Sequence, residues 1–327
     1  MASDGFTYVI NLLLDISAAV HVPINLFAMG VVAQNTPLEM RYFGWTILNI
    51  MFWNFGCNFI FAFVHIKPMY PAECYRLDGL VKHFLDSEFV SQGLFCIEFV
   101  CVFNCLAANS FIFPLRYFSL VHKQRFVNIK PIRIAVGFAV VIIAIDFGCI
   151  INFLQWKVPY DEYPYPEELP SRKMVFCLMP DGFWHYSSLV LFLFLILETF
   201  TISRIFTTLI MRFLRKMEGV VHKKTLDIQR KLLKTIIFLT SFPVVFALIP
   251  LVVVDLALLF RHCRYTQEIT MVVTVIAANH GVIYAVATLC TVHAYRKAVK
   301  NMLLKMFRRN TMHVPHVHAF LSVTHKY

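Results

Sequence analysis

Seven stretches of this chain are each long and apolar enough to cross the hydrocarbon core of a bilayer, and no other feature limits its fold so severely. A helix rises about 1.5 Å per residue and needs about 20 mostly apolar residues for the crossing. The stretches are 6–33, 43–66, 88–113, 132–154, 183–211, 235–260 and 267–294. A soluble alternative is closed off by composition: 59% of the residues are apolar or aromatic, 33 are phenylalanine, and only 15% are charged. A chain of 327 residues has too little interior to hide that much apolar surface from water. In lipid each segment must satisfy its own backbone hydrogen bonds, so the spans are helices and the fold class is all-α, a seven-helix transmembrane bundle.

Prolines and polar residues shape individual spans. Pro23 predicts a kink in the first span rather than a break, because neighbouring helices re-satisfy a freed carbonyl. Span three carries Gln92, Glu98, Asn104 and Asn109, too polar to face lipid, and belongs at the bundle centre. Pro114 is expected to end helix three near Phe113. In span six, Pro243 and Pro250 lie seven residues apart on nearly one face, and each releases a carbonyl, which marks a hinge.

Orientation follows from the basic residues, which accumulate on the cytoplasmic side. With the N-terminus outside, the inner segments 34–42, 114–133, 204–234 and 295–327 hold 22 of the 30 Lys and Arg, and the outer segments hold 8. The acids lean the other way, with three inside, eleven outside and five within spans. The net charge of +11 therefore reads as a membrane signal facing an anionic inner leaflet, and no nucleic-acid partner is expected. Met1-Ala-Ser-Asp4 has no basic stretch, so no cleavable signal peptide is expected. The longest outer connection, 155–182, is acidic, aromatic and proline-rich and predicts an irregular or extended cap. The inner connection 212–234 predicts extensions of helices five and six. Val299, Met302, Leu303 and Met306 recur at helical spacing, so 295–309 predicts an amphipathic helix on the inner leaflet. Residues 1–309 then form one receptor domain, and 310–327 is expected to be a disordered cytoplasmic tail.

Enzyme signatures are absent from the sequence: no G-x-S-x-G, H-E-x-x-H, C-x-x-C, phosphate loop or G-x-G-x-x-G occurs. Cys96, Cys101 and Cys105 are spread around a helix and read as buried apolar residues rather than metal ligands. No cofactor or metal is expected. Three function classes fit seven spans: a receptor, a ligand-gated cation channel and a transporter. The channel is disfavoured by the charge bias and the transporter by the lack of internal repeats.

Several motifs resemble those of the nematode serpentine chemoreceptors, classes H and I of the Str-type superfamily. Thr36-Pro37-Leu-Glu-Met40 precedes Trp45, Leu48-Asn49 and Trp53, and Lys67-Pro68-Met69-Tyr70-Pro71 leaves span two. Arg116-Tyr117 follows span three, and Thr225-Leu-Asp-Ile-Gln229-Arg-Lys-Leu-Leu233 leads into span six with its Pro243 and Pro250. Asn279-His280-Gly281 lies in span seven, which Tyr295-Arg296 closes. The resemblance covers about residues 30–300. It implies a G-protein-coupled chemosensory receptor in the plasma membrane of sensory cilia, with a small environmental molecule as ligand and a heterotrimeric G protein as partner. One departure is Pro114-Leu115 before Arg116, where an acidic or polar pair is more usual.

The resemblance also frames the candidate sites. Seven-helix receptors commonly tie the second outer loop to the top of helix three, but Ser91 stands near that place here. The implied disulfide is Cys74–Cys177, with Cys96 as the alternative partner and Cys263 as the third outer cysteine. Arg116 and Tyr117, with Arg215, Lys216, Lys223, Lys224, Arg230 and Lys231, form a basic face that either docks a G protein or only sets topology. Arg116 is either a conformational latch or a juxtamembrane arginine at the phosphate level. Asn54 and Asn58 share a face of span two, and with Asn279 and His280 they suggest an interhelical polar network more than ligand contact. Asp146 and Asp255 lie toward the outer ends of their spans, where water is expected to reach them. Glu98 points the same way as Arg116 if helix three is regular, in the outer third of the bundle. It is either a structural carboxyl bonded to a neighbouring helix or a ligand contact among Phe95, Phe99 and Phe103.

Overall fold

The computed structural model describes residues 3–83, 87–122, 131–171 and 175–312. Among these, seven helices are long and apolar enough to cross a membrane. They are α1 (Asp4–Asn35), α2 (Arg41–Val64), α3 (Glu88–Val121), α4 (Pro131–Trp156), α5 (Phe183–Lys216), α6 (Lys223–Leu259) and α7 (Thr266–Thr291). An eighth helix, α8 (His293–Met312), follows α7 after a single extended residue, Val292. The expected tail at 310–327 lies outside the described residues beyond Met312.

Burial separates the helices as their polarity demands. In α3, 61% of the membrane-length window is buried, against 11% in α4, so α3 runs through the centre and α4 lies at the rim. Asn104 of α3 donates to Asp146 of α4 at 2.8 Å, and Ser110 donates to Thr199 of α5 at 3.0 Å, so the polar groups of the central helix find partners on its neighbours.

Helix three does not stop at Phe113. It continues through Pro114 to Val121, which corrects the expected end. Packing explains the difference: Tyr117 and Phe118 both meet the Phe206 ring, and Tyr117 and Leu120 pack on a buried cluster that includes Ile210 and Leu214. These contacts outweigh one missing backbone bond, whose carbonyl a bundle can satisfy locally. Pro23 likewise sits inside a continuous α1.

The prolines of α6 have a different effect. Pro243 ends regular α-helix, Val244–Leu248 forms one π-turn, and α-helix resumes at Ile249. The Ile249 N–H bonds the carbonyl of Val244, five residues back, which widens the helix between the two prolines.

One end of the bundle carries a four-stranded antiparallel sheet, with β1 (Ile66–Pro68), β2 (Cys74–Leu77), β3 (Lys157–Val158) and β4 (Val175–Leu178) in the order β1-β2-β4-β3. Connection 155–182 supplies β3, β4 and two 3-10 turns, so the expected cap is partly regular. The sheet is stitched to the helices: Gln267 donates to the Pro68 carbonyl at 2.7 Å, Lys67 to Thr7 at 2.8 Å, and the Trp156 indole to the Met179 carbonyl at 2.9 Å. Gly79 lets the strap return onto the end of α2, since a Cβ there would stand 2.2 Å from the Phe63 carbonyl oxygen. The opposite end carries the α5–α6 turn and α8, whose Val299 and Met302 pack against the bundle while Lys297, Lys300 and Lys305 are exposed. Leu303 is half exposed, and the Met306 side chain lies outside the described residues.

Candidate ligand site

Beneath the sheet lies a cavity of about 110 Å³, lined mainly by α3, α5, α6 and α7 with the sheet as its roof. Its walls are mainly aromatic and aliphatic. Phe95 and Phe99 come from one face of α3, Trp156 from the end of α4, Phe192 from α5, and Tyr75 from the roof. Phe95 is the hub, with ring centres 5.2 Å from Tyr75, 5.1 Å from Phe176 and 5.5 Å from Phe99. Such offset and tilted pairs are the arrangements aromatic rings prefer.

Glu98 opens onto this cavity and is 3% exposed. One carboxylate oxygen accepts from the Cys57 thiol of α2 at 2.9 Å, and the other has no partner among the described residues. Phe103 does not line the cavity. It stands behind Phe99 and Phe192, at 5.1 and 5.7 Å between ring centres. Asp255 is another wall residue. It is 4% exposed, which corrects the expectation that water reaches it. Its signal was present in the sequence: Leu251, Val254, Asp255 and Leu258 share one face of α6 at helical spacing, and all four line the cavity. Trp156 carried no such signal, because it reaches the site only by closing α4 against the sheet. Asp146, by contrast, is half-buried beside Asn104.

A smaller cavity of about 50 Å³ lies next along the axis and shares Phe61, Val102, Leu251 and Ala277 with the first. Pro243, Val244, Ala247 and Leu248 of the π-turn line it, as does His280, whereas Pro250 lies on the wall of the larger cavity. Around it run buried polar contacts. The Cys105 thiol donates to Asn54 at 2.6 Å, and His280 meets the same Asn54 oxygen at 3.0 Å, joining α3, α2 and α7. Asn279 turns instead to α1 and donates to Ser17 at 2.9 Å. Asn58 makes no hydrogen bond among the described residues, but its amide nitrogen stands 2.2 Å from where a Cβ of Gly281 would be.

At the roof, Cys74 and Cys177 are bonded as directly opposed residues of β2 and β4. Cys96 is a half-buried free thiol and Cys263 an exposed one. Behind the disulfide, Glu73 is fully buried with His185 at 3.2 Å, and Arg261 meets Glu168 and Asp181, each at 3.7 Å. Burial pushes the Glu73 carboxyl above its ordinary range, against the opposing pull of His185 and Arg261. At the other end, Arg116 donates to Gln229 and so joins α3 to α6. Arg215, Lys216, Lys223, Lys224 and Lys231 are exposed around the α5–α6 turn, and Arg230 pairs with Glu218.

A largely apolar, aromatic cavity in a seven-helix membrane bundle suits recognition of a small molecule. None of the curated proteins matches the chain. The family model for the serpentine type 7TM GPCR chemoreceptor Srh matches residues 6–305, nearly the whole bundle and its juxtamembrane helix. The chain therefore belongs to Srh, a nematode chemoreceptor family of the Str superfamily.

Proposed function

We propose that this chemoreceptor binds a small, largely apolar environmental molecule in the cavity beneath the sheet and signals by repacking α6 against α3 and α7 to a heterotrimeric G protein. The observation that carries the reading is the cavity itself, because its walls come from the same helices that meet at the opposite, basic end. The unequal basic residues, 22 against 8, support an extracellular sheet and N-terminus and a cytoplasmic C-terminus. The π-turn between Pro243 and Pro250 offers α6 a place to change register; it lines the smaller cavity, and Pro250 and Leu251 just beyond it line the larger one. The Arg116–Gln229 contact is the link such a change would break or remake. Exposed Arg215, Lys216, Lys223, Lys224 and Lys231 offer a basic docking face beside the anionic leaflet. The plasma membrane of sensory cilia is the location the family resemblance suggests for it.

Thr274 lines the cavity from α7, and Thr274→Phe fills it. Cells bearing the wild-type chain and this variant at equal surface density are exposed to a panel of volatile and water-soluble compounds. Active compounds are expected to lose their effect in the variant. Concentration–response curves that coincide with wild type for every active compound would remove the ligand from this cavity.

A further inference from the structure

We propose that the ligand class is a small uncharged alcohol, whose hydroxyl is held by Asp255 of α6. The inference deepens the reading of the cavity as the ligand site and rests on it.

Asp255 is 4% exposed, lines the cavity, and leaves its Oδ2 with no partner among the described residues. His185, the imidazole within its electrostatic reach, is held against Glu73 at 3.2 Å. The other polar walls have already spent their donors. The Thr270 and Thr274 hydroxyls donate to carbonyls of their own helix, each at 2.8 Å. Ser188 is engaged by Asn152 and the Trp184 carbonyl, and the Trp156 indole donates to Met179. The Tyr75 hydroxyl faces that of Tyr70 within the roof, and Glu98 already accepts from Cys57. Pro68 and Pro250 bring no backbone N–H to the wall. The cavity thus offers a ligand more acceptors than donors, and Asp255 is the acceptor on the helix that carries the π-turn.

A buried polar group without a partner is costly, so a ligand that completes it gains more than the hydrogen bond alone. A hydroxyl both donates and accepts, and therefore completes a carboxyl in either protonation state. It donates to a carboxylate; with a carboxylic acid it donates to one oxygen and accepts from the other. A ketone only accepts, and leaves the free carboxyl oxygen unanswered. An ammonium needs an ionised partner, and burying two charges costs more than burying one hydroxyl. Phe95, Phe99 and Phe192 supply the apolar walls for the body of the alcohol. At about 110 Å³ the cavity is smaller than the ~150 Å³ cavity that holds benzene, so the ligand has about five or six heavy atoms.

The test uses the purified full chain in lipid nanodiscs and two pairs of matched shape: cyclopentanol with cyclopentanone, and 3-pentanol with 3-pentanone. Affinity is read from ligand-dependent thermal unfolding at neutral pH. Each alcohol is expected to bind at least about fivefold more tightly than its ketone, the usual worth of one hydrogen bond. Asp255→Leu is expected to bring that ratio close to one while the ketones still bind. Asp255→Ala, which cannot overfill the site, gives the same reading where Asp255→Leu does not fold. Equal binding of alcohol and ketone by wild type, binding of neither alcohol, or a ratio that survives removal of the Asp255 carboxyl would overturn the proposal. So would tighter binding of cyclopentylamine than of cyclopentanol. Thr274→Phe separates the two readings. If it blocks alcohols and ketones alike while the wild-type ratio is one, only the hydroxyl site fails. If it blocks none, the cavity reading fails and this inference with it.

Discussion

Glu73 shows how a single residue sets a condition on the whole cap. Its carboxyl is fully buried behind the Cys74–Cys177 disulfide, with His185 beside it. Burial raises its pKa, so between its unfolded and folded values the folded chain holds a proton that the unfolded chain has released. Its contribution to stability is therefore greater at acid pH and declines as pH rises through the folded value. Glu73→Gln removes that titration. Its thermal midpoint should gain on wild type as pH is raised from about 5 to about 8, because only wild type must ionise or hold the group there. A constant difference between the two across that range would show that Glu73 does not titrate with folding. Gly281 is the residue-scale counterpart in the membrane. It lets α7 lie so close to α2 that Asn58 occupies the space a side chain would need.

Among the elements, α6 is the one we propose to move. Two prolines deny it two backbone donors, and the chain answers with one widened turn rather than a break. The turn lines the smaller cavity and Leu251, three residues beyond it, lines both, so a ligand that presses on Leu251 or Pro250 acts on the segment that continues the turn. Pro243→Ala restores the donor at the start of the turn and favours regular helix. Ligand affinity should change little, while output at saturating ligand should fall at least about fivefold, the lower end of common coupling strengths. A variant that reaches the surface and signals at full amplitude would place the moving part elsewhere. The sheet is the opposite kind of element. Its strands are two to four residues long, but a disulfide and side-chain bonds to α1, α4 and α7 fix them over the cavity.

Across the whole molecule, one end is roofed by the disulfide-linked sheet and the other presents exposed lysines and arginines around the α5–α6 turn. From the charge bias we propose that the sheet lies outside. Epitope tags at the two termini check it: an N-terminal tag should bind antibody on intact cells, and a C-terminal tag only after permeabilisation. The reverse pattern would turn the receptor over and place the basic face outside. Two cavities lie in sequence along the axis and share Phe61, Val102, Leu251 and Ala277 as walls, with the π-turn beside the smaller one.

Spans, their number and their polarity were legible because lipid imposes a length and a hydropathy that each segment must meet alone. The centrality of α3 was legible for the same reason, since Glu98, Asn104 and Asn109 cannot face hydrocarbon. What local rules misjudged was decided by packing. Pro114 ends a helix in isolation, yet Tyr117 and Phe118 carry α3 onward against Phe206. Asp255 looked reachable by water from its place near the end of its span. Only the sheet above and α3 opposite make it a buried wall residue. Phe103 shares its helix with Phe95 and Phe99, but the rings of Phe99 and Phe192 stand between it and the cavity. The strands of the cap are too short to announce themselves in sequence and exist because distant loops pair over the helix ends. The sequence by itself determined a seven-helix membrane bundle, because crossing a bilayer is a property of each segment. The tertiary structure alone decided which carboxylates face a common cavity, because that depends on how helices from distant parts of the chain rotate against one another.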